Sequence, residues 1–370
     1  ADSLSMQIPS QYSLVTEPER RDTAPAIMLA CANLLLEQGA SDDDPVVVMP
    51  IDTFADQAYY DKIPQLAKAI TTSNKDLILR GVEPTYPSEK YGYILPAESE
   101  KDGVKDVLSF REKPDEKTAK EYISANALWN CGVFGFKLRF LHETIEKYYV
   151  PSNYEDMLSH YGLFPKTSFD YEIVEKATRI GVISYSGTWK DLGTWNTLTD
   201  EMDAAVSGEA SVDWNTCNNV HVINETSLPM VIAGLSDSVV VATQDGILVS
   251  GKEESAHIKE LVSSAARDCP MVESSSWGRY SVLDSHQSAG QSKGEIKRIQ
   301  VKQSESIDCA SLTNVYSCLV VADGTGYLET DNREIELHPG VSFVYDHDAS
   351  YKINAISDLD LVCVEIKQTV

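Results

Sequence analysis

The chain has 370 residues, 42% hydrophobic and 24% charged, with 57 acidic against 31 basic side chains and a formal net charge of −26. That length suffices for two or three domains, each burying its own core; the acidic excess argues against nucleic acid or an anionic membrane as a general partner. No apolar run reaches the roughly 18 residues of a membrane span, and the first residues lack the basic-then-apolar order of a secretory signal.

In chain order, residues 24–38 ("APAIMLACANLLLEQ") are apolar nearly all round, as in a helix packed on both sides, with Asp22 and Thr23 before it and Pro25 just inside. A buried strand at 46–50 follows, then a helix over roughly 55–74 and strands at 77–81, 91–97 and 107–114. A helix over 116–125 leads to a strand at 127–136. Helices near 138–148 and 170–178 precede a strand at 179–186. This alternation predicts an α/β domain with a mostly parallel sheet. Residues 218–251 alternate short β runs with turns, and "ESAHIKELVSSAA" (254–266) reads as a short helix. The last hundred residues carry β runs separated by Gly and Asp turns, the pattern of a barrel or sandwich. No solenoid repeat is visible. The seven cysteines (31, 131, 217, 269, 309, 318 and 363) are scattered, odd in number and mostly inside apolar runs, which reads as reduced thiols of a cytoplasmic protein.

In open α/β sheets, ligands sit beyond the carboxyl ends of strands. Asp52 lies at such an end in "VVVMPIDTF", and Asp191 in "GTWKDLGTW" follows a β run and precedes a turn at Gly193. Two carboxylates at neighbouring strand ends suit Mg²⁺, which takes oxygen ligands and completes its shell with water and phosphate oxygens. By spacing alone each aspartate also reads as a cap or a turn residue. Glu112 and Lys113 end another β run in "FREKP": a pair able to meet one ligand, or a solvated surface pair. In "TEPERRDTAPAI", Glu17, Arg20, Arg21, Asp22 and Thr23 precede a helix start whose N–H groups and dipole suit a polar or anionic ligand; the alternative is a plain N-cap.

Together these stretches resemble the bacterial mannose-1-phosphate guanylyltransferases, or GDP-mannose pyrophosphorylases, over almost the whole chain. "EPERRDTAPAI" is similar to that family's E-P-x-x-R-[ND]-T-A-P-A-I, "VVVMPIDTF" to its strand ending P-[AS]-D-H, and "YGYI" (91–94) to its G-Y-G-Y-I. "FREKP", "WNCGVFGF", "FDYEIVEKA" and "WKDLGTW" follow in the same order. The resemblance implies a Rossmann-like, GT-A-like nucleotidyltransferase core with a mixed sheet, a small β-rich domain and a C-terminal cupin-like β-barrel. The boundaries it implies are 1–207 for the core, 208–270 for the β-rich connecting or dimerisation domain, and 271–370 for the barrel. It implies transfer of GMP from GTP to mannose 1-phosphate with Mg²⁺, in a homodimer that binds neither nucleic acid nor membrane. By the same resemblance Asp52 and Asp191 hold the metal, Lys113 meets the sugar phosphate and Glu112 the mannose hydroxyls. Gly92, Asn130 and Gly132 line the sugar pocket, while Glu17, Arg20 and Thr23 lie near the nucleotide.

The sequence departs from the family at three places. The Gly-rich loop G-G-x-G-T-R-L-x-P, which cradles nucleotide phosphates, is not in it, so the chain is expected to be an N-terminally incomplete piece of an enzyme. Thr53 stands where a histidine is usual after the metal aspartate. The barrel lacks the metal-binding histidines of the family's isomerase domain: "SIDCASLTNVYSC" replaces the His-rich region, Tyr351 stands in the later histidine's place, and His338 and His347 are isolated. No isomerase activity is expected. Two other readings stay open at this point. One is a catalytically impaired sugar-nucleotide-binding or regulatory homologue; the other is a nucleotidyltransferase for another sugar 1-phosphate.

Overall fold

The structure is a computed structural model that describes residues 12–265, 271–287, 292–309, 315–330, 333–345 and 350–368. Ser13–Leu198 forms one compact unit, and the chain from Thr199 onward forms another.

The first unit contains helix α1 (Thr23–Leu36), strands β1 (Pro45–Val48) and β2 (Thr53–Ala55), helices α2 (Gln57–Asp61) and α3 (Ile63–Thr72), and strands β3 (Leu77–Val82), β4 (Tyr93–Lys101) and β5 (Val104–Arg111). Helix α4 (Glu116–Ser124), strand β6 (Leu128–Lys137), helices α5 (Leu138–Ile145), α6 (Tyr154–Ser159) and α7 (Phe169–Glu172), and strands β7 (Ile180–Tyr185) and β8 (Trp189–Asp191) complete it. Six strands form a mixed sheet in the order β1-β6-β3-β7-β5-β4. Strand β3 shows how it is covered: Leu77 and Leu79 join a core with Met28, Leu29, Leu141 and Met157, while Ile78 and Val82 face Tyr59, Leu66 and Ile70. Helices therefore cover both faces.

Several expectations from the sequence change. Only β3–β7 is parallel among the described pairs of this sheet, not the majority. The cause is local for β4 and β5: Asp102 (φ 54°) and Gly103 (φ 82°) make a two-residue turn, so these strands form a hairpin. The long helix over 55–74 is two helices, with Pro64 in the first turn of α3 and β2 ahead of both. The strand at 46–50 stops at Val48 and is half-buried, because β1 is an edge strand of the described sheet, pairing with β6 alone.

In the second unit, strands β9 (Val206–Ser207), β11 (Asn218–Asn224) and β13 (Ser236–Ala242) stack in parallel, as do β10 (Ala210–Val212) and β12 (Met230–Ile232). Val206, Val222 and Val240 align across the ladder and share a small core with Cys217, Val220 and Ile232. The coil exists without any repeat visible in the sequence. Strand β14 (Ile247–Gly251) turns back on β13, and the helix read at 254–266 is a 3₁₀ turn at Glu254–His257 followed by α8 (Lys259–Ala265). Antiparallel sheets of six and four strands then enclose Ile299, Val301, Leu319, Leu328, Ile353 and Leu361, which is the expected β-barrel. His338 lies exposed on it, and His347 falls outside the described residues. Among the described residues, Cys31, Cys131, Cys217, Cys318 and Cys363 form no disulfide, and all but Cys318 are buried; Cys269 and the side chain of Cys309 fall outside that description. No helix of the described residues is long and apolar enough to cross a membrane.

Gly81 lies tight against its neighbours in β3: a Cβ there would sit 2.7 Å and 2.8 Å from Leu128 side-chain atoms and 3.1 Å from Val182. Gly81→Ala is expected to cost about 1–3 kcal/mol of overpacking, read as a lower urea midpoint at an unchanged slope.

Candidate active site

Strand β6 positions one half of the site. Its pairing with β3 steps from Leu79–Phe134 to Gly81–Asn130, so Cys131, Gly132 and Val133 bulge opposite Arg80. A bulge re-aims the side chains around it. Gly132 takes φ 73°, open to glycine but costly for other residues, and the Pro50 ring lies 3.6 Å from where its Cβ would be. Asn130, beside the bulge, donates from Nδ2 to Asp170 Oδ1 (2.6 Å) and accepts the Gly132 N–H at Oδ1 (3.2 Å). Its own N–H donates to the Gly92 carbonyl at 2.8 Å.

Gly92 is needed because a Cβ there would lie 2.5 Å from Glu112 Oε2 and 2.9 Å from Phe110. Glu112 follows the end of β5 with only 9% of its surface exposed, and its Oε2 is buried with no hydrogen-bond partner among the described residues. Its Oε1 lies 3.3 Å from Lys113 Nζ, and its N–H donates to Glu175 Oε1 at 3.3 Å. Burial, reinforced by the Asp170 charge and opposed by Lys113, pushes the Glu112 carboxyl up to about 7. Asp170 is also raised by burial, against the Asn130 hydrogen bond. Lys113 has φ 43°, a left-handed backbone for a non-glycine residue, and its side chain is 54% exposed. A buried acid, a half-buried acid, an amide and one cation thus meet around a glycine. An unpaired buried carboxylate oxygen suits a hydroxyl donor.

The other half is the antiparallel ribbon of β2 and β8, which pairs Thr53 with Asp191, Phe54 with Lys190 and Ala55 with Trp189. Asp52 therefore does not end β1, which stops before Met49 and Pro50; it sits exposed on the bend that enters the ribbon, next to the residue opposite Asp191. Asp191 Oδ1 accepts the Gly193 N–H at 2.8 Å. The ribbon adjoins Gly92 through Tyr91, whose ring lies 5.5 Å from that of Trp189. Burial raises the Tyr91 phenol, and the Asp191 charge adds to the shift. The structure so brings Asp52, Asp191, Gly92, Glu112, Lys113, Asn130 and Gly132 into one neighbourhood. Asp52 and Asp191 offer hard oxygen donors with access to solvent, which fits a divalent cation that keeps water and ligand oxygens in its shell. No group of three His, Cys, Asp or Glu side chains among the described residues could hold a metal by itself.

The helix-start segment is more occupied than its sequence implies. Thr23 N–H donates to Asp22 Oδ1 (2.8 Å), Ala24 N–H to the Thr167 carbonyl (3.2 Å), and Pro25 has none, so the start of α1 is not an open cradle of N–H groups. Thr23 Oγ1 accepts the Phe169 N–H at 2.9 Å, the Tyr161 hydroxyl donates to Glu17, and Arg20 is exposed. What the segment does contribute is position: Asp22 comes near enough to Asp170 to help raise its carboxyl. Asp170, Glu175 and the residues behind the ribbon were not singled out by sequence reasoning; "FDYEIVEKA" holds the first two but does not show which side chain points inward.

A family described as Nucleotidyl transferase matches residues 4–207, and the chain belongs to it. Members transfer a nucleotidyl group between a nucleoside triphosphate and a sugar phosphate and generally use a divalent metal. The chain is 28% identical over 353 residues to the alginate biosynthesis protein AlgA of Pseudomonas syringae pv. tomato, covering 87% of this chain and 70% of that protein. It is 30% identical over 308 residues to the mannose-1-phosphate guanylyltransferase RfbM of Salmonella typhimurium, covering 74% of this chain and 62% of that protein. Among solved structures, a Thermus thermophilus protein described as a mannose-1-phosphate geranyltransferase superposes with a TM-score of 0.54 at 28% identity, covering 68% of this chain and 77% of that one.

Glu112 gives the site a pH signature. A carboxyl whose folded pKa is about 7, above its ordinary 4.5, keeps its proton in the folded protein while the unfolded chain loses it. Its stabilisation is complete below about 4.5 and is lost as pH rises to about 7. The stability difference between Glu112→Gln and wild type is therefore expected to shift in favour of the variant across that window and to be flat above it, measured by urea unfolding at several pH values.

Proposed function

We propose that the chain is the nucleotidyltransferase part of a mannose-1-phosphate guanylyltransferase, residues 1–207 being its core, 208–270 a β-rich connecting and dimerisation domain, and 271–370 a cupin-like barrel. The observation that carries this reading is the buried, unpaired Glu112 Oε2 set against Gly92 and beside Lys113, Asn130 and Asp170, next to the ribbon bearing Asp52 and Asp191. The named guanylyltransferase among its relatives supports the choice of substrates. A cytoplasmic homodimer is part of the same proposal.

In the reaction, a phosphate oxygen of mannose 1-phosphate forms a bond to the α-phosphorus of GTP as the α–β bond breaks and pyrophosphate leaves. Asp52 and Asp191 would hold Mg²⁺, which when bound offsets charge on the phosphate oxygens. Glu112 accepts sugar hydroxyls at Oε2, and Lys113 meets the sugar phosphate as a half-exposed point charge. Asn130, oriented by Asp170, and the backbones of Gly92 and Gly132 shape the pocket. Glu17, Arg20 and Thr23 belong to the nucleotide side, acting through side chains, since the first N–H groups of α1 are already bonded. Catalysis of this kind is positioning and charge neutralisation.

The test is pyrophosphate release with GTP, mannose 1-phosphate and Mg²⁺, repeated with UTP, CTP, ATP and glucose 1-phosphate. Turnover is expected with the first pair and is expected to fall by about a hundredfold or more in Asp191→Asn. Wild-type turnover that prefers another nucleotide or sugar, or an Asp191→Asn variant with unchanged rate, would refute the respective part.

A further inference from the structure

Behind the β2–β8 ribbon lies a cluster that the site as described leaves unused. Arg80 is fully buried, and none of its guanidinium nitrogens has a hydrogen-bond partner among the described residues. Its charge is met instead by two ring faces, Tyr59 at 4.6 Å and Tyr185 at 5.0 Å, which themselves pack edge to face at 5.3 Å. The Tyr185 hydroxyl donates to Asp56 Oδ1. Asp56 Oδ1 also accepts the Tyr59 N–H (3.0 Å), capping α2, and Oδ2 accepts the Thr188 N–H (3.1 Å). The Asp56 N–H returns to the Thr188 carbonyl at 3.3 Å. One carboxylate therefore ties together the exit of β2, the start of α2, the end of β7 and the entry to β8.

Two local facts make this knot specific. A Cβ on residue 187 would collide with the Tyr185 hydroxyl, so the chain closes over that hydroxyl only because Gly187 has none. The Tyr185 phenol is raised to about 12, first by burial and then by Asp56, so the hydroxyl stays protonated and donating; that bond is also the leading cause lowering the Asp56 carboxyl. The ribbon itself is only three residue pairs long, and a two-stranded ladder of that size does not hold its register unaided.

We infer that Asp56, bonded to the hydroxyl of Tyr185 whose ring lies against the Arg80 guanidinium, is a positioning residue for the divalent-metal site: it fixes the β2–β8 register that brings Asp52 alongside Asp191. Asp52 lies just before the ribbon and Asp191 ends it, so a slip or splay of this ladder moves one carboxylate relative to the other. The inference rests on the reading of Asp52 and Asp191 as metal ligands. Partners that orient metal ligands typically change affinity by about 10–100-fold when removed.

The experiment is Mn²⁺ titration of the full chain without nucleotide, read by electron paramagnetic resonance of the free ion, beside thermal melts. Tyr185→Phe keeps the ring over Arg80 and deletes the hydroxyl; Asp56→Asn keeps a capping side chain and removes the charge. Both are expected to weaken Mn²⁺ about tenfold while remaining folded, whereas Lys120→Ala, at an exposed ion pair on α4, binds it as wild type does. Wild-type affinity in both variants, or no Mn²⁺ binding by the wild-type protein, would overturn the inference. A wild type that binds Mn²⁺ but does not turn over GTP with mannose 1-phosphate, with both variants still weakened, would refute the substrate reading and support the positioning role.

Discussion

Strand β6 must satisfy three neighbours at once, and the site follows from how it does so. It pairs with β1, β3 and β4, and its residues divide between the two cores, Phe134 and Phe136 on one face and Trp129, Cys131 and Val133 on the other. A strand so constrained has little freedom except where the ladder breaks, opposite Arg80. There the backbone swings out, Gly132 meets Pro50, and Asn130 turns to Asp170 and Gly92. The bulge thus joins the loop before Asp52 to the pocket around Glu112, in a region where each half is held by a different sheet.

The electrostatics of the two halves differ in kind. Around Glu112 the governing effect is loss of water, so the carboxyl tends toward its neutral form. Around Asp56 it is hydrogen bonding to the charged form, so the carboxyl is held ionised. Both outcomes come from acids at strand ends in a strongly acidic chain. Sequence alone does not tell such acids apart, because the close approach of Gly92, the charge of Asp170 and the hydroxyl of Tyr185 come from other segments of the chain.

That is also the measure of what the sequence made legible. Helix α1, the long strand β6 and the β-rich second half can be read from periodicity and turn residues, and the motif order places Asp52, Glu112 and Asp191 together. The mostly antiparallel pairing was hidden because it depends on a two-residue turn at Asp102–Gly103 and on strand order, neither of which hydrophobic pattern encodes. The short ribbon was hidden because three residues carry no period. Arg80 was hidden most thoroughly: in "LILRGV" it interrupts an apolar run, and only the structure shows that two tyrosine faces take the place of a counter-ion.

Lys113 carries a consequence of another kind. Its backbone turns left-handed (φ 43°) ahead of Pro114 and its ammonium is half exposed, while the chain as a whole bears a net charge of −26. An anion diffusing from solution is repelled by the whole protein and attracted by this ammonium only within about 10 Å at 0.1 M salt. Ionic strength therefore acts on arrival in two opposing directions, first lifting the long-range barrier and then weakening the final capture.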